Sequence, residues 1–406
     1  MSPSKKLRAL LLEGIHPGAR SILAAEGIEV TLLDKSPPKA ELPEIVKGYD
    51  LVGIRSKTRM TEQVIASADQ LLTIGCFCIG TNQVDLAFAN ASGVPVFNAP
   101  LSNTRSVAEL VIAEVVMLAR QLGDRIQEVH TGRWMKKAVG CHEIRGKTLG
   151  IVGYGHIGSQ VGVLAESMGM RVVFYDVVTK LPMGNNRPTQ SLEELLSESD
   201  FVTLHVPETD QTKNMIGASE LASMKPGSHL MNLSRGTVVV IDQLADALRS
   251  GHLAGAAIDV YPEEPDGNGE GFESDLRGLA NVILTPHIGG STEEAQEAIG
   301  KEVAISLARF LTRGTTAGAV NFPPVEQPLI AGKHRILNVH RNVPGVLGAI
   351  NHIVSESRAN IFAQVLATDR TIGYLVMDLD QEVSAEVTER ISALPTSIRT
   401  RMLEDR

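Results

Sequence analysis

Short apolar runs rich in β-branched residues alternate with stretches whose apolar positions recur at helical spacing through most of this chain. Over the first hundred residues, runs at 7–12, 29–33, 51–54, 71–74 and 94–97 predict strands, with helices over 17–26, 61–67 and 84–91 between them. Such alternation predicts a parallel sheet with helical crossovers. A second series at 148–153, 171–176, 201–206, 229–233, 254–260 and 282–285 predicts a six-strand unit. Ser106-x-x-Glu109 reads as a capping box, followed by Val107, Leu110, Val111, Glu114 and Leu118 at helical spacing, so a long helix is expected to bridge the two sheets. A helix over 291–310, with Ser291 as its N-cap and acidic residues in its first turn, is expected to return the chain to the first sheet.

After Asn321-Phe-Pro-Pro the pattern changes. Proline-rich text to Pro328, then Gly332-Lys-His-Arg, predicts a linker. Beyond it, strand 335–339, helix 344–357, strands 361–367 and 374–379, helix 385–393 and strand 398–403 spell βαββαβ, a ferredoxin-like order. No catalytic constellation falls in this module, which reads as regulatory or assembly-forming.

The turn after the run at 148–153 carries Gly153-x-Gly155-x-x-Gly158, and Asp176 closes the next run. In a strand-turn-helix, Gly153 permits the tight turn, Gly155 lets a pyrophosphate approach the backbone, and Gly158 lets the helix pack on the strand. The helix N-terminus then faces a diphosphate with unpaired N–H groups. A carboxylate at Asp176 would accept ribose hydroxyls and repel a 2′-phosphate, which favours NAD over NADP; a turn cap is the plainer reading. The fold class is therefore α/β: two doubly wound parallel-sheet, Rossmann-like domains followed by the ferredoxin-like module. The expected boundaries are 4–102 with 291–323, 103–290, and 333–406.

Composition narrows the classes. A chain of 406 residues implies two to three domains, and a net charge of -9 with pI near 5.7 argues against nucleic-acid binding. Three cysteines, Cys76, Cys78 and Cys141, lack metal-site spacing, so no metal is expected, and reduced thiols suit a cytoplasmic protein. Cys76 and Cys78 lie in an apolar run and read as packing residues. The amino terminus lacks an apolar leader and no run is long enough to span a membrane.

Three residues downstream stand at the ends of apolar runs: Arg235 in Asn232-Leu-Ser-Arg-Gly, Glu264 in Tyr261-Pro-Glu-Glu-Pro and His287 in Thr285-Pro-His-Ile-Gly-Gly. Hydride removal from C2 of a 2-hydroxy acid needs a base that titrates near neutrality, which favours histidine. A carboxylate beside it would hold one tautomer and favour the imidazolium. An arginine fork suits the substrate carboxylate. Each has a bland alternative as a surface arginine, a turn carboxylate or a structural histidine, and spacing alone does not choose between Glu263 and Glu264.

The ordered text Gly75-Cys-Phe-Cys-Ile-Gly-Thr-Asn-Gln-Val-Asp85, Ser102-Asn-Thr-Arg-Ser-Val-Ala-Glu-Leu-Val111, Gly153-Tyr-Gly-His-Ile-Gly158, Ser234-Arg-Gly-Thr-Val, Leu253-Ala-Gly-Ala-Ala-Ile-Asp-Val260 and Leu284-Thr-Pro-His-Ile-Gly-Gly-Ser-Thr292 resembles the D-3-phosphoglycerate dehydrogenase family. It is similar to the short bacterial type, a D-2-hydroxyacid dehydrogenase core with a C-terminal ACT domain, over nearly the whole chain. The resemblance implies Arg235, Glu264 and His287 as the catalytic set and picks Glu264 over its neighbour. It implies that His156 and Ile157 line the diphosphate site, that His205, Val206 and Pro207 cover the adenine, that Asp259 grips the nicotinamide carboxamide, and that Ser234, Gly289 and Gly290 complete the NAD site. The basic loop Arg55-Ser56-Lys57 would take a substrate phosphate; a solvated loop is the alternative. Trp134 and Lys136 are implied near a dimer contact and the partner's active site. His340, Asn342 and Asn360 match positions through which such ACT domains bind L-serine between paired modules, although Val343 replaces a commonly charged neighbour.

The implied activity is oxidation of 3-phosphoglycerate, the first step of serine synthesis, with serine feedback and 2-oxoglutarate reduction as a side activity. A homo-oligomer, dimer or tetramer, is expected. The alternatives are another D-2-hydroxyacid dehydrogenase, or an NAD-sensing protein that works by binding partners.

Overall fold

A computed structural model of the chain describes residues 6–265 and 269–404. The amino-terminal residues 1–5, part of the stretch read as lacking a leader, and the last two residues assigned to the terminal module lie outside the described residues. Two compact units result: one runs to Ser102 and resumes at Gln296, and the other is Asn103–Ala295.

The first unit contains β1 (Arg8–Leu11), β2 (Glu29–Leu32), β3 (Leu51–Ile54), β4 (Thr73–Cys76) and β5 (Val96–Phe97), all parallel in the order β2-β1-β3-β4-β5. β1, β3 and β4 are buried apart from Arg8, as expected for strands covered on both faces by helices. The strand order reverses between β1 and β3, the place at which open α/β sheets as a class take ligands, beyond the carboxyl ends of the strands. The loops starting at Glu13 and Arg55 occupy that position.

The second unit holds a seven-stranded parallel sheet of β6 (Thr148–Val152), β7 (Arg171–Tyr175), β8 (Arg187–Pro188), β9 (Phe201–Leu204), β10 (His229–Asn232), β11 (Gly255–Ile258) and β12 (Val282–Leu284). The order is β12-β11-β10-β9-β6-β7-β8, with the reversal between β6 and β9. The six expected strands are present, and the two-residue β8 is an addition too short to leave a period.

Both expected helix starts need correction. The long helix spans Thr104–Arg120 with Asn103 at its N-cap, and Ser106 lies inside it. The Ser106 hydroxyl pairs with that of Thr292 at 2.8 Å, and Glu109 instead accepts from Arg105. The next helix covers Glu293–Arg313, and the Thr292 hydroxyl, not Ser291, accepts the capping bond from Ala295 N–H at 3.1 Å. Adjacent Ser and Thr residues offer equivalent acceptors to a pattern search, and only the backbone trajectory chooses.

The carboxyl-terminal module belongs to the first unit. Its antiparallel sheet consists of β13 (His334–Arg341), β14 (Ile361–Thr368), β15 (Ile372–Leu379) and β16 (Ser397–Leu403) in the order β14-β15-β13-β16. Helices Val346–Glu356 and Gln381–Ser392 cover one face through Ile350, Val354, Val387 and Ile391. Leu337, Val339, Tyr374 and Val376 on the other face share a core with Phe97, Leu307 and Phe310 of the five-stranded domain. The expected free linker is packed accordingly: Phe322 and Val325 are buried, and the Thr316 hydroxyl donates to Pro323 O and accepts from Val325 N–H. Proline removes donors and sets an extended path, and composition alone cannot tell a packed extended chain from a solvated one.

Candidate active site

The Asn103–Ala295 unit assembles its polar residues at the carboxyl ends of its strands. The glycine turn behaves as its chemistry requires. Gly153 has φ +90°, and a Cβ there would lie 2.3 Å from His205 O. A Cβ on Gly158 would lie 2.2 Å from Gly153 O, whereas Gly155 faces open space. The helix His156–Ser167 begins directly after it, so its free N–H groups face that space. Asp176, just past β7, accepts from Tyr154 N–H at 2.9 Å through one oxygen and from Val178 N–H at 2.9 Å through the other. That pairing ties the carboxylate to the glycine turn. His205 sits where β9 ends; its Nε2 meets the Thr203 hydroxyl at 3.0 Å, and burial pulls its pKa down to about 3, so the ring is neutral. Val206 and Pro207 follow it across the same end of the sheet.

Arg235 and Ser234 follow β10. Ser234 donates its N–H and its hydroxyl to Asn232 Oδ1, and Arg235 Nη1 donates to Ser234 O at 2.6 Å. The next residue, Gly236, lies against the Tyr261-Pro262 peptide so closely that a Cβ would be 1.9 Å from Tyr261 C. This contact sets the Arg235 turn against the turn bearing Glu264, a role that sequence reasoning missed.

His287 Nδ1 lies 2.9 and 3.0 Å from the two Glu264 oxygens. Glu264 Oε1 also accepts from Tyr261 N–H at 3.2 Å, and the Tyr261 hydroxyl donates to Ile258 O and Thr285 O, tying that turn to β11 and to the chain after β12. His287 has φ +56°, a left-handed conformation that a non-glycine residue adopts only when held. Asp259 holds it from below: Oδ1 accepts from the Thr285 hydroxyl at 2.6 Å and Ile288 N–H at 2.8 Å, and Oδ2 from Gly289 N–H at 2.8 Å. Gly290 is confined by Asn103, whose Nδ2 would be 2.4 Å from a Cβ.

The electrostatics match this geometry. The Glu264 hydrogen bond holds the His287 pKa above its ordinary value against partial burial and the opposing charge of Arg235. Burial would raise Glu264, but the bonds from His287 and Tyr261 and the charges of His287 and Arg235 bring it below the usual carboxylate range. An ionised Glu264 accepts a hydrogen bond from Nδ1–H, which fixes that tautomer and leaves Nε2 as the basic nitrogen.

Glu114, another residue the sequence placed on a buried face without assigning it a role, is fully buried, and neither carboxyl oxygen has a partner among the described residues. Burial, reinforced by the charge of Asp259, pushes its pKa up to about 8. A group whose folded pKa lies above its unfolded value keeps its contribution at low pH and loses it as pH rises through the folded value. Glu114→Gln should therefore gain stability relative to the parent at about 1.4 kcal/mol per pH unit between about pH 4.5 and 8. Urea unfolding at pH 5 and pH 8 measures this, and an equal difference at both would show that Glu114 is not held neutral.

The remaining candidates lie elsewhere. In the first unit, Glu13, at φ +64°, accepts from the N–H groups of Arg55, Lys57 and Thr58, and so shapes the basic loop. Ser56 and Lys57 are exposed, and Arg55 is half-buried. Trp134 is 82% exposed and Lys136 is exposed with it. In the terminal module Asn342 and Asn360 are exposed, whereas His340 is buried with Nδ1 2.9 Å from Asn338 Oδ1. His340 is packed against Gly373, where a Cβ would lie 2.3 Å from its Nε2.

Comparison with known proteins agrees with this layout. Residues 112–289 match the family model for the NAD-binding domain of D-isomer-specific 2-hydroxyacid dehydrogenases, and residues 336–399 match that for an ACT domain like those of AHAS small subunits. The chain is 54% identical to D-3-phosphoglycerate dehydrogenase of Dictyostelium discoideum, covering 99% of this chain and 98% of that protein. It is 52% identical to the D-3-phosphoglycerate dehydrogenase of Escherichia coli K12, over 98% of each. Among solved structures, the TT0316 protein of Thermus thermophilus aligns with TM-score 0.69 at 34% identity, covering 76% of this chain and 97% of that one. A D-lactate dehydrogenase from Aquifex aeolicus, complexed with NAD and lactic acid, aligns with TM-score 0.67 at 27% identity over 78% and 99%. The open space at Gly155, the helix N-terminus and Asp176 fit the same cofactor: this domain binds NAD.

Proposed function

This chain belongs to the D-3-phosphoglycerate dehydrogenase family, NAD-dependent oxidoreductases of the 2-hydroxyacid class, and we propose that it interconverts D-3-phosphoglycerate and 3-phosphohydroxypyruvate. The observation that carries the mechanism is the His287–Glu264 pair, 2.9 Å apart, with Nε2 left as the base. NAD, when bound, supplies the hydride acceptor. As the C2–H bond of the hydroxy acid breaks, its electron pair leaves with the hydrogen, the C2–O bond becomes a carbonyl, and the hydroxyl proton passes to His287 Nε2. Glu264 stabilises the imidazolium that results, and Arg235 binds the substrate carboxylate and polarises the C2 oxygen. Asp259 holds the turn that presents His287.

Arg55, Ser56 and Lys57 are proposed to bind the substrate phosphate, a reading supported by their place at the strand reversal and by Glu13 fixing the loop. Arg55→Gln with Lys57→Gln should raise KM for 3-phosphohydroxypyruvate about 10- to 100-fold, the loss of one or two charge-assisted bonds. Non-phosphorylated ketoacids should be turned over as before, and equal losses on both kinds of substrate would remove the phosphate assignment.

The ACT match supports a small-molecule effector for the terminal module; feedback by L-serine through Asn342, Asn360 and His340, and 2-oxoglutarate reduction as a second ketoacid reaction of the catalytic site, are proposed with it. Trp134 and Lys136, on a wholly exposed arm, are the proposed contact to a partner subunit in a cytoplasmic dimer or tetramer. No helix among the described residues is long and apolar enough to cross a membrane. NADH oxidation with 3-phosphohydroxypyruvate, with and without L-serine, tests the whole reading. Turnover that serine leaves unchanged would retain the enzyme and remove the effector, and no turnover with NADH bound would turn the assignment to another hydroxy acid or to a sensor.

A further inference from the structure

Where the face of the terminal sheet meets the five-stranded domain, the packing leaves a cavity of about 440 Å³. Its walls are mostly apolar, with Leu72 and Phe310 from the domain and Leu337 and Ile398 from the module. Into this cavity face two arginines of β16. Arg399 donates Nε to Ser92 O at 2.9 Å and Nη1 to Leu71 O. Arg401 donates Nη2 to Phe310 O at 3.0 Å and lies over the Phe310 ring, 5.1 Å from its centroid. Neither arginine forms a close side-chain ion pair among the described residues, and the hydrogen bonds of both guanidiniums go to backbone carbonyls, with Asp50 the carboxylate that acts on Arg401 through its charge.

A half-buried guanidinium that no carboxylate touches directly is under-compensated, and an anion that enters beside it recovers part of the desolvation cost. Burial already drives the Arg401 pKa down to about 10, with only Tyr374 and Asp50 acting against it. The Tyr374 hydroxyl is engaged with Gly314 O at 2.7 Å, so it adds apolar wall and no donor to the cavity. Asp69, exposed at the lining, places a negative charge there that disfavours multiply charged ions.

We propose that this cavity is a binding site for a small monocarboxylate with an apolar body, its carboxylate on Arg401 and Arg399 and its hydrocarbon part against Leu72, Phe310, Leu337 and Ile398. Because the same guanidiniums hold carbonyls of the five-stranded domain, an occupant joins the terminal module to that domain and strengthens their packing. The site is separate from the His287–Glu264 pair, which lies in the other unit.

The test is calorimetric titration of the full-length protein with 3-phenylpropionate, together with thermal unfolding. Saturable binding and a rise in Tm of several degrees are expected. 3-Phenylpropanol, which lacks the charge, and sulfate, which lacks the body, should each bind at least tenfold more weakly. Arg401→Met should weaken 3-phenylpropionate at least tenfold; Leu72→Trp, which fills the cavity and leaves both arginines in place, should do the same if the arginine variant fails to fold. Arg235→Lys should leave the binding unchanged. Binding that persists in Leu72→Trp, that is lost in Arg235→Lys, or that sulfate matches would overturn the proposal, as would no binding to the unaltered protein.

Discussion

Replacing His287 with alanine should lower turnover between about a hundred- and ten-thousand-fold, the range for loss of a positioned general base, while NADH still binds with nearly its original affinity. The split follows from geometry. His287 stands on a turn held by Asp259 and Thr285, whereas the glycine turn that would seat the cofactor diphosphate lies at the end of β6. Fluorescence titration with NADH beside single-turnover kinetics measures both halves, and a turnover loss below about tenfold would remove His287 from the proton path.

The pH dependence carries the sign. Hydroxy-acid oxidation needs neutral His287, so its rate falls as pH drops through the His287 pKa. Ketoacid reduction needs the protonated ring, so its rate falls as pH rises through the same value. Because the Glu264 bond raises that pKa, Glu264→Gln should move both limbs to lower pH. Parallel trends in the two directions would sink the assignment.

The largest stability effect is expected at Asp378. Arg335 and Asp378 form a bidentate pair buried to 1% and 2% exposure, with Nε to Oδ1 and Nη2 to Oδ2 both at 2.7 Å. The other Arg335 donors go to Arg313 O, Gln327 O and Pro328 O, so one guanidinium ties the end of helix Glu293–Arg313 and the proline-rich segment to β13. Asp378→Ala would strand a buried positive charge and should cost about 3–5 kcal/mol. Arg335→Met with Asp378→Leu should recover much of it, because an apolar pair needs no counter-charge. Urea unfolding of the full-length chain distinguishes the cases. A single Asp378→Ala change costing under about 1 kcal/mol, the worth of an exposed pair, would show that the guanidinium has found water or another acceptor.

What the sequence determined by itself is what short-range pattern and rigid stereochemistry impose. Alternating apolar runs were enough for two parallel sheets and for the βαββαβ module, because strand and helix periods are properties of neighbouring residues. Gly153, Gly155 and Gly158 were legible because each solves a local steric problem, and resemblance to a family singled out Glu264 ahead of Glu263. Tertiary structure decided the rest, wherever a residue's surroundings come from distant parts of the chain. Only folding brings Glu264 onto His287, sets Gly236 against the Tyr261-Pro262 peptide and places Glu13 under the N–H groups of the Arg55 loop. The same holds for Glu114, a polar member of a helical face whose complete burial next to Asp259 no helical period reveals. It holds most plainly for the proline-rich segment: its composition suits a linker, and Arg335, Phe322 and Val325 turn it into packed structure because their partners lie across the fold.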